Sequence, residues 1–330
     1  MTPIAVVGAG SWGTVLADLL AKKGHAVRLW AFEPEVVDAI NARHENPLFL
    51  AGCPLANGIT AEGDIAAVVR GAEYVVSVSP SHVTRGVLMM AGPHLAAGAI
   101  VASATKGIEI ESLQLMSEVA RAVLPPHRFV AVSGPSFAQE VYAGQPTAVA
   151  AASTDREAAE RVQDLFVTSY FRVYSNTDVI GTELGGSLKN VIAIAAGILD
   201  GLGLGNNPRA ALITRGLTEM TRLGLALGAD PRTFSGLAGV GDLILTTCGA
   251  LSRNRALGVA LAQGTTLESY RRGHRTVAEG ANTARAAMRL AQRERVEMPI
   301  VEQVWEILYR DKPPRQAIAD LMERTLKSES

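Results

Sequence analysis

The feature that most constrains this chain lies in its first thirty residues. Ile4-Ala5-Val6-Val7 is a short apolar, β-branched run, the pattern of a strand buried on both faces. Gly8-Ala9-Gly10-Ser11-Trp12-Gly13 follows at once. Thr14 to Lys23 then sets Val15, Leu16, Leu19 and Leu20 at helical spacing, with a stop at Gly24, and Ala26 to Trp30 reads as a second strand. A strand, a G-x-G-x-x-G turn, a helix and a second strand in about 30 residues form a βαβ unit of the dinucleotide-binding kind. Gly8 permits the tight turn, Gly10 lets the backbone approach a pyrophosphate, and Gly13 lets helix and strand pack closely. The helix N-terminus offers free N–H groups and a partial positive charge to the phosphates.

About 20 residues past the glycines, Glu33 stands where a carboxylate accepts the hydrogen bond of the adenosine 2′-hydroxyl. Phe32 beside it is placed to stack on adenine. The immediate loop holds no Arg or His to meet a 2′-phosphate, so the residues favour NAD and leave NADP open.

The alternation continues. Tyr74–Val78, Ala99–Ala102, Phe129–Val132 and Thr147–Ala150 read as strands with helical stretches between several of them, which predicts a doubly wound parallel sheet of Rossmann type. From Gly181 onward the periodicity is helical throughout. Leu184–Leu199 is apolar nearly all round and so central. Ala211–Leu227, Leu237–Thr246, Arg255–Gln263, Glu279–Glu294 and Ile300–Tyr309 follow as helices, and Lys327–Ser330 as a frayed tail. The division is therefore an α/β dinucleotide-binding domain over 1–180 and an all-α, substrate-binding domain over 181–330.

Composition narrows the functional classes. The 330 residues are 48% hydrophobic and 19% charged, too apolar for a disordered chain. Lys+Arg is 31 against Asp+Glu 32, a net charge of −1, which argues against a nucleic-acid or anionic-membrane surface. Cys53 and Cys248 stand far apart with no Cys/His cluster, so neither a zinc site nor a disulfide framework is expected. The N-terminus lacks the basic region of a signal peptide, and the apolar run Val191–Leu199 is shorter than the ~20 residues of a membrane helix. The expectation is a cytoplasmic protein.

A dehydrogenase moves a proton as well as a hydride. Lys189 interrupts the apolar Leu184–Leu199 helix, where a charge is costly unless paired or functional. Burial and a neighbouring cation would bring its amine towards neutral pKa; the bland alternative is a lysine whose head reaches water. Lys106 ends a predicted strand, at the edge that lines the ligand crevice of such sheets, and supplies that cation. Gly134 and Ser136 follow another strand and offer backbone and hydroxyl contacts. Their Gly-x-Ser-x-Ala spacing loosely resembles a hydrolase elbow, but that fold does not begin with a dinucleotide turn. Asp242, after Gly239-Val240-Gly241, is either a helix cap or a partner for Lys189 or a substrate hydroxyl. Ser252-Arg253-Asn254 opens a helix with a cap, a guanidinium and an amide, a good phosphate receptor.

Six motifs now stand in order: Gly8-Ala9-Gly10-Ser11-Trp12-Gly13-Thr14, Ala104-Thr105-Lys106-Gly107, Ser133-Gly134-Pro135-Ser136-Phe137-Ala138, Glu183-Leu184-Gly185-Gly186-Ser187-Leu188-Lys189-Asn190, Gly239-Val240-Gly241-Asp242-Leu243 and Ser252-Arg253-Asn254-Arg255. Together they span almost the whole chain and resemble bacterial NAD(P)-dependent glycerol-3-phosphate dehydrogenase. The resemblance implies reversible reduction of dihydroxyacetone phosphate to sn-glycerol 3-phosphate for glycerophospholipid synthesis, in a homodimer formed through the helical half. It makes Lys189 the proton donor and acceptor. Lys106, Gly134, Ser136, Asn190, Asp242, Thr246, Ser252, Arg253 and Asn254 match its substrate positions. Ser11, Trp12, Lys106, Ala138, Arg253, Val277 and Glu279 match its cofactor contacts. The family often carries a basic residue where Phe32 stands, a departure that bears on the use of NADP. Two readings remain beside this one: another dehydrogenase of the same architecture, acting on a hydroxyacid or on 6-phosphogluconate, and a dinucleotide sensor without catalysis.

Overall fold

Eight strands form one sheet in a computed structural model that describes residues 3–273 and 278–325. They are β1 (Ile4–Val7), β2 (Val27–Trp30), β3 (Ile59–Glu62), β4 (Tyr74–Ser77), β5 (Ile100–Ser103), β6 (Arg128–Ser133), β7 (Thr147–Ala152) and β8 (Phe171–Asn176), in the order β3-β2-β1-β4-β5-β6-β7-β8. Strand order reverses beside β1, between β2 and β4. Doubly wound sheets open their ligand crevice there, at the C-terminal strand ends. The Ser11–Lys22 helix covers one face through Val15, Leu16, Leu19 and Leu20, all buried with Ile4, Val6, Val27 and Leu29 in one cluster.

The sheet departs from the expected all-parallel form at one pair. β6 and β7 run antiparallel, with Ser133 opposite Ala150 and Ala131 opposite Ala152. The connection explains it. The only helix between them, Ala138–Tyr142, has five residues and advances ~8 Å, while a six-residue strand spans ~20 Å. The chain cannot return to the far end of the sheet, so β7 starts where β6 stops. Between β7 and β8 the eleven-residue helix Arg156–Phe166 is long enough to make the return, and that pair is parallel.

The two strands absent from the sequence reading, β3 and β8, are the two edges. β8 alternates buried and exposed residues from Phe171 to Tyr174, as a half-solvated edge does, and has no continuous apolar run.

After β8 every regular element among the described residues is helical. The central helix, Val179–Gly201, is buried along almost its whole length. Asn206–Ala226, Asp242–Cys248, Arg253–Ala262, Glu279–Glu294 and Pro299–Tyr309 pack around it, with Leu188, Ile192, Ile194, Met220, Leu257 and Leu290 in a second core. The expected helix over Leu237–Thr246 is two pieces: a π-helical turn at Leu237–Gly241, then Asp242–Cys248. A β-carbon on Gly239 would lie 2.1 Å from the Phe234 carbonyl oxygen, so the backbone is pressed too closely there for a side chain. Among the described residues no single helix is long and apolar enough to cross a membrane.

Candidate active site

The glycine turn folds as its spacing requires. Gly8 has φ of +119°, a conformation L side chains rarely adopt, and Gly13 is held so near that a β-carbon on it would lie 1.8 Å from the Gly8 carbonyl oxygen. A β-carbon on Gly10 would meet nothing within 4 Å, so backbone faces open space there. Gly10 is the N-cap of the Ser11–Lys22 helix and no side chain caps it, so the first-turn N–H groups stay available to an anion. Asn46, fully buried, ties the following loop down: its Nδ2 donates to the Ala9 carbonyl at 2.8 Å and to Thr14 Oγ1 at 2.8 Å. Ser11 Oγ donates to the Phe49 carbonyl at 2.6 Å.

The turn opens onto a cavity of about 780 Å³. Gly8, Gly10, Ser11, Trp12 and Gly13 form one wall; Phe32 and Glu33, just past β2, form the end beside it. An uncapped helix start, an open glycine backbone and a carboxylate past β2 fit a dinucleotide, with phosphates at the turn and a ribose near Glu33.

At the other end the central helix brings in Lys189. Its Nζ donates to Asp242 Oδ1 at 2.6 Å and to Thr246 Oγ1 at 2.6 Å. Lys106, in the loop after β5, donates from Nζ to the other carboxylate oxygen, Oδ2, at 2.6 Å and to the Gly134 carbonyl at 3.1 Å. One fully buried carboxylate thus holds two ammonium groups, one per oxygen. Burial pushes the Lys189 amine down to about 7; Asp242 opposes that shift and Lys106 adds to it. Helix packing sets the approach: a β-carbon on Gly186, one turn before Lys189, would lie 2.3 Å from Ser133 Oγ at the end of β6.

The Ser252–Asn254 turn forms a third side. Ser252 Oγ caps its helix by accepting from the Arg255 N–H at 3.2 Å. Asn254 donates to Asn190 Oδ1 at 2.9 Å and accepts from the Gly280 N–H at 2.9 Å, joining three helices. Arg253 lines the cavity, and its guanidinium makes no ion pair among the described residues. Burial lowers its pKa and the nearby Glu279 carboxylate opposes that. Glu279 accepts from the Ser81 N–H at 3.2 Å and from Ser81 Oγ at 2.6 Å, across the cleft; burial pushes its own pKa up.

Most of the expected site residues therefore converge. Ser136, Ala138, Asn190, Thr246, Ser252, Arg253, Asn254 and Glu279 line the same cavity as Lys106 and Lys189. Asp242 and Gly134 lie behind that wall, Asp242 bonded to both lysines and the Gly134 carbonyl to Lys106. Asp242 is not the N-cap of its helix, since Gly241 holds that position. Val277 lies outside the described residues. Sequence reasoning passed over the loop after β4, where Ser79, Pro80, His82 and Val83 line the cavity and Ser81 binds Glu279. The signal was available: C-terminal ends of parallel strands border the crevice, and Tyr74–Val78 already read as a strand.

Comparisons with known proteins bear on the family and the fold. The family model for the N-terminus of NAD-dependent glycerol-3-phosphate dehydrogenase matches residues 3–159, and that for its C-terminus matches 178–319. An NAD(P)+ glycerol-3-phosphate dehydrogenase of Geobacter sp. (strain M21) is 55% identical over 329 residues, 99% of this chain and 98% of that protein. The crystal structure of glycerol-3-phosphate dehydrogenase from Coxiella burnetii superposes with a TM-score of 0.95 at 42% identity, covering 98% of this chain and 99% of that one. A ketopantoate reductase from Ralstonia eutropha JMP134, at 17% identity and a TM-score of 0.60 over 98% of this chain and 100% of its own, shares the fold alone. The chain belongs to the NAD-dependent glycerol-3-phosphate dehydrogenase family.

Proposed function

We propose that Lys189 is the proton donor and acceptor in the reversible reduction of dihydroxyacetone phosphate to sn-glycerol 3-phosphate. Family membership supplies the reaction, and NAD(P), when bound, exchanges the hydride with C2. The observation that carries the residue assignment is the carboxylate of Asp242 shared between two lysines at the cavity end remote from the adenosine-binding side. An amine with pKa of about 7 holds and releases a proton with similar ease at neutral pH, which serves both directions. Asp242 fixes the Nζ position and Thr246 accepts a second N–H, so the amine is oriented before substrate arrives. Lys106, held on the same carboxylate, offers positive charge to the substrate oxygens. Arg253, free of an ion pair among the described residues, is available to the phosphate, and its helix start adds N–H groups. Phosphate binding remote from C2 aligns the reacting carbon.

In this reading the first 180 residues hold the dinucleotide and the rest supply the phosphate and proton contacts. The product feeds glycerophospholipid synthesis; a cytoplasmic homodimer is proposed on family membership alone. Lys189→Ala is expected to cost at least ~100-fold in kcat, the low end for a positioned acid–base group, while dinucleotide binding persists. Wild-type turnover by a folded variant would remove Lys189 from the role. Turnover of a keto acid in preference to dihydroxyacetone phosphate would overturn the substrate.

A further inference from the structure

We propose that Glu183 is a positioning residue for the two lysines on Asp242: by gripping the start of the Met116–Val123 helix, it sets the loop of Lys106 against the helix of Lys189. This rests on Lys189 being the proton donor and acceptor. Glu183 opens the motif that ends in Lys189-Asn190, yet it has no place on the cavity wall. It is buried on the central helix six residues before Lys189, ~9 Å along the axis. One residue engages both of its carboxylate oxygens. Ser117, in the first turn of the Met116–Val123 helix, donates from its N–H to Oε1 at 2.8 Å and from Oγ to Oε2 at 2.5 Å. The N-cap of that helix is Leu115, which has no side-chain oxygen to offer, so the acceptor comes from a helix 66 positions away. Burial pushes the Glu183 carboxyl up to about 7; the two Ser117 bonds oppose that, Glu118 adds to it and Arg121 opposes it.

Between β5 and that helix the chain closes on itself. Ile108 and Leu115 pair as an antiparallel bridge at the neck of the loop, and the Glu109 N–H donates to the Gln114 carbonyl at 2.9 Å. Both neck residues are buried, in the same core cluster as Leu184 and Leu188 of the central helix. Lys106 stands two residues before the neck and Ser117 two residues after it. A continuous path results: Glu183 holds Ser117, the bridge holds Leu115 to Ile108, and Lys106 follows. On the other side Glu183 and Lys189 share one helix. The two arms meet again on Asp242, one ammonium per carboxylate oxygen. A ring with a helix for one arm and a bridged loop for the other fixes the separation of the two amines. Opened at Glu183, it leaves Lys189 on Asp242 and lets Lys106 drift. The tip of the loop has its own tie, from Arg289 Nη1 to the Ile110 carbonyl.

The test is the pH profile of dihydroxyacetone phosphate reduction, with NADH binding measured separately by its fluorescence. Glu183→Ala is expected to lower kcat about tenfold or more, as small misplacements near the reacting atoms do, while NADH binding holds. Lys106 helps to keep the Lys189 amine low, so its drift should move the inflection to higher pH, by about one pH unit. Ser117→Ala keeps the N–H bond and loses the hydroxyl one. It should do the same in smaller measure, and it carries the test if Glu183→Ala does not fold. Glu183→Gln offers an acceptor to the N–H and a donor to the hydroxyl, and should restore the parent inflection while removing any titration by Glu183 itself. Arg289→Ala, which frees the tip alone, should change neither kcat nor inflection. Parental kcat and inflection in a folded Glu183→Ala or Ser117→Ala enzyme overturn the proposal. So does a fall in kcat with an unmoved inflection, the mark of a structural cap, or an equal effect from Arg289→Ala. An inflection lost in Glu183→Gln assigns the titration to Glu183 and overturns it as well. A parent profile with no inflection near 7 is a separate failure, that of the Lys189 reading.

Discussion

The two ends of the cavity are built from opposite materials. At the Gly8–Gly13 turn the protein presents backbone: side chains are excluded, because a β-carbon on Gly13 would meet a carbonyl oxygen at 1.8 Å. At the Lys189 end it presents long charged side chains where water is scarce, two ammonium groups against one carboxylate. The first arrangement attracts anions with N–H groups that have no pKa and no rotamers to order. The second depends on a charge balance that burial makes steep. A backbone site is therefore damaged by adding atoms, and a buried charge site by removing one partner.

Experiments can break that contrast. The largest stability effect is expected at the charged end. Asp242→Ala removes the counter-ion of the buried Lys189 and the half-buried Lys106, forces Lys189 to give up its proton, and should destabilise the fold by roughly 1–3 kcal/mol, measured as a lower midpoint in denaturant with an unchanged slope. A variant as stable as the parent would show that the lysines reach water and that the balance is not steep. Gly13→Ala should cost about 1–3 kcal/mol, the usual penalty of overpacking, and should weaken dinucleotide binding more than phosphate binding. Equal losses for both ligands would erase the distinction between the ends.

The mildest probe is pH. With the Lys189 amine at about 7, oxidation of sn-glycerol 3-phosphate needs the neutral amine, so its kcat should rise roughly tenfold per unit below 7 and level off above. Reduction needs the ammonium, so its kcat should be level below 7 and fall above. Asp242→Asn removes the charge that holds the proton on Lys189, so both inflections should move to lower pH. Profiles that ignore this substitution would assign the titration to another group.

The same contrast explains what the sequence made legible. The glycine turn is local: three residues at fixed spacing, next to the strand and helix that need them, so its function could be read from thirty residues. Lys189 was legible for a different reason, since a charge in an apolar helix is conspicuous. Its partner was not fixed by the same means. Asp242 sits 53 positions away, and spacing alone allowed a helix cap as readily as an ion pair. The Ser81–Glu279 contact, 198 positions apart, had no local signature at all. The edge strands β3 and β8 escaped because half-solvated strands carry polar residues where buried ones carry Val or Ile. The reversal of β7 was written in the shortness of the Ala138–Tyr142 helix, a length that only the finished connection reveals.

That reversal decides from where the amine enters the crevice. β8 runs with β7, and its last residue, Asn176, lies level with Ala152 and hence with Ala131, two residues short of the end of β6. The chain leaves the sheet alongside its body and starts the Val179–Gly201 helix there, so two turns later Gly186 brushes Ser133 and one more turn delivers Lys189. The Lys189 amine consequently rides on the middle of a rod, where backbone amides before and after it are all spoken for, and not on a loop tip. One inverted strand moves that nitrogen from the part of such a fold that flexes to the part that does not.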